Sequence, residues 1–158
     1  MKNDYDSAEV NYIKKMLQFE LPIILRKKII NHLFSKYVSI DEFCFAEELY
    51  MSKEQLSLMV DTGMHVGSHG DQHLWLEYLD AQSQILEISR SLNFIESIGM
   101  NKNVLTISYP FGSFNSETLK IVESMNFKLG FTTRVGASYI LNENRFIIPR
   151  FDTNDMPK

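Results

Sequence analysis

Met64-His65-Val66-Gly67-Ser68-His69-Gly70-Asp71-Gln72-His73 is where the texture of this chain changes. Before it, apolar residues recur at helical spacing. Residues 64–68 read as a short strand, and helices then alternate with strands. Asp80 is placed to cap a long helix with Ala81, Ile85, Ile88, Leu92 and Ile95 on one face, closed by Gly99. Residues 104–109 read as a buried strand stopped by Pro110 and Gly112. Asn115 or Ser116 opens another helix, through Met125. Residues 129–133 and 146–148 read as two further strands, the last followed by Pro149. This alternation predicts parallel βαβ units, in a barrel or a doubly wound sheet.

Upstream, residues 1–63 read as helices with clear punctuation. Asp6 with Glu9 has the form of a capping box ahead of Val10, Ile13 and Leu17. Pro22 suits the first position of a second helix, Ser39-Ile40-Asp41-Glu42 opens a third, and Ser52-Lys53-Glu54-Gln55 opens a fourth that Gly63 closes. We therefore expect one domain over residues 1–158, helical over 1–63 and built of βα units over 64–152.

Composition sets the outer bounds. The chain has 158 residues, 44% hydrophobic and 23% charged, which excludes a disordered or fibrous protein. A chain of this length buries about 69% of its unfolded surface, enough for an ordinary core. The net charge of -4 argues against a protein built to hold nucleic acid. No apolar run reaches a membrane span. The polar start, Met1 to Asp6, lacks the apolar centre of a signal peptide, so a cytoplasmic protein is expected. A single cysteine, Cys44, excludes an intrachain disulfide and a multi-cysteine zinc site; its apolar neighbours place it in the core.

Two segments could carry chemistry, and each ends a strand. His69 and His73 stand at i and i+4, a spacing that on a helical turn brings both imidazoles to one side. Two neutral imidazoles, a carboxylate and a water make an open catalytic zinc set; two exposed polar side chains at a turn have the same spacing. The second segment is Ser108-Tyr109-Pro110-Phe111-Gly112-Ser113-Phe114-Asn115. Its Pro and Gly form a sharp turn that either aims backbone N–H groups at a ligand or merely packs aromatics. Of the remaining residues, His65 and Asp71 flank the motif. Arg150, Asp152 and Asp155 follow the last strand as a charged cluster or a solvated tail. Trp75 is a sugar-stacking platform or a packing residue, and Arg26-Lys27-Lys28 is a solvated helix face.

Taken together, the two segments resemble the polysaccharide deacetylase family, the NodB-homology domain or carbohydrate esterase family 4. Its second motif, His-[Ser/Thr]-x-x-His after a Gly-[Ser/Asn] pair, corresponds to residues 67–73, with Gly70 in the Ser/Thr place. About 35 residues later, its third motif corresponds to Ser108-Tyr109-Pro110-Phe111-Gly112. The resemblance covers roughly residues 52–152. It implies an α/β fold, a partial and distorted (β/α) barrel with a helical amino-terminal segment. It implies metal-dependent deacetylation of an N-acetylated or O-acetylated sugar or polysaccharide, with zinc or another divalent ion such as cobalt. By the same resemblance His69 and His73 are metal ligands, the Phe111 backbone N–H stabilises the oxyanion, and Tyr109 and Phe111 line the sugar pocket. Arg150 and Asp152 are candidates for a pocket role.

The departures are specific. The family's first motif, an Asp-Asp pair that supplies the base and the third ligand, has no counterpart, since no Asp-Asp dipeptide occurs. Ser108 stands where an arginine orients the base, and no Leu-x-His motif follows Phe127. We expect that the chain lacks the amino-terminal part of the domain or is a degenerate relative. A non-catalytic fragment that binds a sugar or a partner chain is the competing reading. An unrelated metallohydrolase using Asp152 or Asp155 as its carboxylate ligand is a third. An incomplete sheet would expose an unpaired edge, so a homo-oligomer is expected.

Overall fold

The computed structural model describes residues 6–139 and 144–156. The polar start, residues 1–5, lies outside them. The chain divides into two compact units, Met1–Ser52 and Lys53–Lys158.

The first unit is helical. Helix α1 (Ala8–Lys15) is capped by Ser7, whose hydroxyl accepts from the Val10 N–H. The cap is not Asp6, which instead pairs with Lys14 at 2.6 Å. A wide helical turn, Met16–Glu20, leads to α2 (Ile23–Tyr37), with Pro22 just before its first residue. Asp41 caps α3 (Glu42–Leu49) through the Cys44 N–H. None of the described residues in this unit is buried. Cys44 is exposed, contrary to the expectation from its neighbours. The face of α3 turned to α2 carries Phe45, whose ring meets Phe34 edge-on at 5.3 Å. Cys44, one residue earlier, falls off that face.

The second unit holds the buried core. It begins with α4 (Lys53–Asp61) and contains α5 (Ala81–Ser97), β1 (Thr106–Ser108), α6 (Ser116–Ser124) and β2 (Leu129–Phe131). β1 and β2 are parallel, with Ile107 opposite Gly130. Single parallel bridges, Ser68 to Ile107 and Phe131 to Ile148, add one rung on each flank. The four segments expected to be strands thus lie side by side in chain order, but the outer two contribute one rung each. Barrel character is not seen; the fold is helix-rich α/β with few strands. The backbone on either flank turns into loops after a single rung, and Pro149 has no N–H for a ladder beyond Ile148.

Asp80 caps α5 by accepting from Ser83, and Asn115 caps α6 in a reciprocal box with Thr118. Between these helices and the sheet lie Leu76, Ile88, Ile95, Leu105, Ile107, Tyr109, Ile121, Val122 and Phe127. Fully removing such side chains from water contributes roughly 1.5–3 kcal/mol each. The buried face of α5 differs from the expected one. It carries Gln84, Glu87, Ile88, Ser91 and Ile95, whereas Ile85 is 36% exposed. Three polar side chains therefore point inward where an all-apolar stripe was expected.

Candidate active site

His69 follows Ser68 at the carboxyl end of the first bridged segment, and Ser108 ends β1 alongside it. The Ser68 and Ser108 backbones are joined at 2.9 Å, so the two motifs emerge from adjacent backbone. The His69 ring turns back over β1, its Nδ1 lying 2.6 Å from the Ser108 carbonyl oxygen. A carbonyl only accepts, so Nδ1 carries the proton and donates. Nε2 is left with its lone pair. That is the orientation of a metal-binding histidine held from behind.

His73 brings its Nε2 to 3.1 Å from the Nε2 of His69, with ring centroids 4.8 Å apart. A tetrahedral ion with bonds near 2.0–2.1 Å sets its two nitrogens about 3–3.5 Å apart. The means is not the helical turn suggested by the spacing. Residues 69–73 form a loop in which Gly70 (φ 77°) and His73 (φ 54°) are left-handed. Burial, and then the neighbouring His69, hold the His73 imidazole below its ordinary pKa, while the Glu87 carboxylate pulls the other way. The net effect favours the neutral ring, which is the form that ligates.

Phe111 completes the cluster. Its ring meets His73 edge-on at 4.5 Å and stacks on Trp75 at 4.5 Å with 7° between planes. The turn Pro110–Gly112 presents Phe111 in a left-handed conformation (φ 57°), and Gly112 follows at φ 69°. The Phe111 N–H, unlike those of Gly112 and Ser113, has no backbone acceptor among the described residues. Ser113 ties this turn to the segment after Trp75, its hydroxyl accepting from the Glu77 N–H at 3.1 Å.

Several candidates are placed elsewhere. Tyr109 is 1% exposed and belongs to the core. Its hydroxyl donates to the Phe146 carbonyl at 2.9 Å, and its ring packs on Phe114. Strand alternation explains this: with Ile107 inward and Ser108 at the rim, Tyr109 turns inward again. His65 bonds Thr106 Oγ1 at 2.8 Å and ties two segments of backbone. Asp71 lies 3.5 Å from Arg90. Asp152 and Asp155 cap each other's turn, Thr153–Asp155, and the backbone N–H of Arg150 donates to the Arg134 carbonyl. Among the described residues, no group of three His, Cys, Asp or Glu side chains could hold a metal. The histidine pair thus fits an ion as two ligands, without a third. The alternatives in which Asp152 or Asp155 supplies a carboxylate ligand gain no support from where these residues lie.

Glu87 has no counterpart in the sequence reading. It is 4% exposed, and its Oε1 accepts from the N–H groups of Asp71 at 3.0 Å and Gln72 at 2.6 Å. The available signal was the 3–4 spacing of polar Gln84, Glu87 and Ser91 on a helix whose other inward residues are isoleucines.

Comparison with known proteins gives the family. The sequence profile of the polysaccharide deacetylase family matches residues 24–130, reaching further upstream than the motifs alone suggested. YxkH of Bacillus subtilis (strain 168), whose name places it among the polysaccharide deacetylases, is 34% identical over 89 residues, 56% of this chain and 32% of its own. The Streptococcus pyogenes deacetylase PplD, solved in complex with acetate, is 30% identical with a TM-score of 0.58. That match covers 67% of this chain and 46% of PplD. A CE4 family pseudoenzyme from Bacillus anthracis is 24% identical with a TM-score of 0.44, over 48% of this chain and 26% of its own. The chain thus spans about a third of YxkH and under half of PplD. With the profile covering more than half of the chain, and both motifs converging at one end of the sheet, the chain belongs to the polysaccharide deacetylase family.

Proposed function

We propose that His69 and His73 are two protein ligands of a divalent metal in a carbohydrate deacetylase site. The reaction is hydrolysis of the acetyl group of an acetylated sugar or polysaccharide, R–NH–CO–CH3 + H2O → R–NH3+ + CH3COO−. The observation that carries this reading is the 3.1 Å approach of the two Nε2 atoms, with the His69 Nδ1 proton committed to the Ser108 carbonyl. Acetate, the product of such a reaction, is bound by the related PplD. A zinc or cobalt ion held there would polarise the acetyl carbonyl and acidify a water molecule.

The chain's own residues supply orientation and charge stabilisation. Ser108 holds His69 in the tautomer that leaves Nε2 available. Phe111 walls one side of the pair, and its uncommitted N–H is placed to receive charge developing on the acetyl oxygen. Trp75, stacked on Phe111, backs that wall. Arg150 and Asp152 remain candidates for contacting the rest of the substrate from the neighbouring strand end.

A second reading has its own support. Among the described residues no third His, Cys, Asp or Glu side chain is grouped with the pair to hold a metal, and Ser108 occupies the arginine place. Metal binding without turnover, in a chain that holds a sugar or a partner, fits those facts. Zinc titration and acetate release from acetylated amino sugars decide between the two. We expect the 158-residue chain to bind zinc weakly or substoichiometrically, to lose that binding in His69→Ala, and to release negligible acetate. A missing general base costs ~10²–10⁴ in rate. Turnover abolished by His69→Ala would establish catalysis by this chain alone. No zinc binding at millimolar metal would refute the ligand assignment.

A further inference from the structure

Glu87 is a carboxylate buried in the middle of α5, and none of the lysines or arginines among the described residues pairs with it. Burying such a group is costly unless hydrogen bonds replace its water. The replacement comes from one place. Oε1 accepts from the backbone N–H groups of Asp71 at 3.0 Å, Gln72 at 2.6 Å and Leu74 at 3.4 Å. The last two bracket His73.

The loop carries two left-handed residues, Gly70 and His73. His73 is left-handed at φ 54°, a region uncommon for a residue with a Cβ. Gly70 permits the close approach: a Cβ at its position would stand 3.0 Å from Glu87 Oε1 and 3.3 Å from Pro110 Cγ. One helical turn further along α5, Ser91 meets Ser68 hydroxyl to hydroxyl at 2.6 Å and fixes the backbone just before His69. The same face of α5 therefore anchors the loop on both sides of the histidines.

We propose that Glu87 is the positioning residue of the His69–His73 pair, its carboxylate setting the backbone at Asp71, Gln72 and Leu74 and thereby the angle at which the imidazoles meet. Its consequence for metal rests on the reading of the pair as ligands; its effect on the loop does not. Two readouts separate these. Amide hydrogen exchange on the metal-free, 15N-labelled chain reports the three N–H groups directly. Zinc titration reports what the geometry is for.

Glu87→Asp keeps the charge and shortens the reach, while Glu87→Gln keeps an acceptor oxygen at full reach without the charge. We expect exchange at Asp71, Gln72 and Leu74 to speed up about tenfold or more in Glu87→Asp, beyond any change at the core amides of Ile107 and Val122. Zinc affinity should fall about 10–100-fold in that variant. Glu87→Gln should restore most of both. Unchanged exchange at the three amides in Glu87→Asp would overturn the proposal. So would a general acceleration that spares none of the core and is equal in both variants. Selective exposure of the three amides, in a chain whose wild type binds no zinc, would uphold the positioning role and sink the ligand assignment instead.

Discussion

Gly112→Ala is the perturbation that tests most directly how the Phe111 turn is held. At Gly112 φ is 69°, and a Cβ there would overlap Thr133 Oγ1 and stand 3.0 Å from Thr133 Cβ and Cγ2. Two costs follow. Left-handed backbone at a residue with a Cβ costs about 1–2 kcal/mol. Forcing a methyl into occupied space costs roughly 1–3 kcal/mol more, because the Thr133 backbone-proximal atoms cannot swing away as a flexible tip would. The sum, ~2–5 kcal/mol, is a large part of a typical domain stability of about 5–15 kcal/mol. Urea unfolding followed by tryptophan fluorescence suits the question, since Trp75 is the chain's single tryptophan and stacks on Phe111. The two costs separate in a double-mutant cycle. In a Thr133→Gly background the overlap is gone, and Gly112→Ala should then cost only about 1–2 kcal/mol. A loss under about 0.5 kcal/mol in the wild-type background, or no coupling with Thr133, would refute the packing of this turn as described.

Two more predictions separate structural residues from site residues. Tyr109→Phe removes the hydroxyl that donates to Phe146 O, where burial already pushes the phenol's pKa well above its ordinary value. We expect a stability loss of about 0.5–1.5 kcal/mol by urea denaturation with zinc affinity unchanged, and a fall in zinc affinity at unchanged stability would return Tyr109 to the site. Asp80→Ala removes the α5 cap, and hydrogen bonds from the Ser83 backbone hold the Asp80 carboxyl below 3.8. Since the folded value lies below the unfolded one, the cap's contribution is present above pH 3.8 and is lost as pH falls through the folded value. The difference in thermal midpoint between wild type and Asp80→Ala should therefore shrink on acidification below that point; a constant difference would assign it to something other than the carboxylate.

What the sequence made legible was mostly local. Caps at Asp41, Asp80 and Asn115 could be read because the acceptor and the N–H it serves lie within three residues. The positions of the four strand segments were also legible, as short β-rich runs between turn residues. Their lengths were not, because a rung exists only where a partner strand is present, and pairing is not a property of the strand itself. The partial barrel expected of these segments is not shown for the same reason. The buried face of α5 was missed through a rule that counts only apolar residues. Gln84, Glu87 and Ser91 point inward because each finds a partner there, Thr118 for Gln84, the histidine loop for Glu87 and Ser68 for Ser91.

The histidine pair shows the same limit from the other side. The i, i+4 spacing suggested a helix, yet the rings meet on a loop with two left-handed residues, and what brings them together is non-local: the Ser108 carbonyl, the Glu87 carboxylate and the Phe111 ring. Each of these contacts is made by the chain's own backbone and side chains, and we expect them to hold the loop in the metal-free chain as well. Zinc affinity in this chain should then be set by how many ligands it offers rather than by the cost of organising them. The stoichiometry and strength of zinc binding, measured beside loop protection at Asp71, Gln72 and Leu74, therefore count ligands. A protected loop with weak zinc means two histidines and no carboxylate, whereas a protected loop with tight, stoichiometric zinc means that a third side chain moves into place.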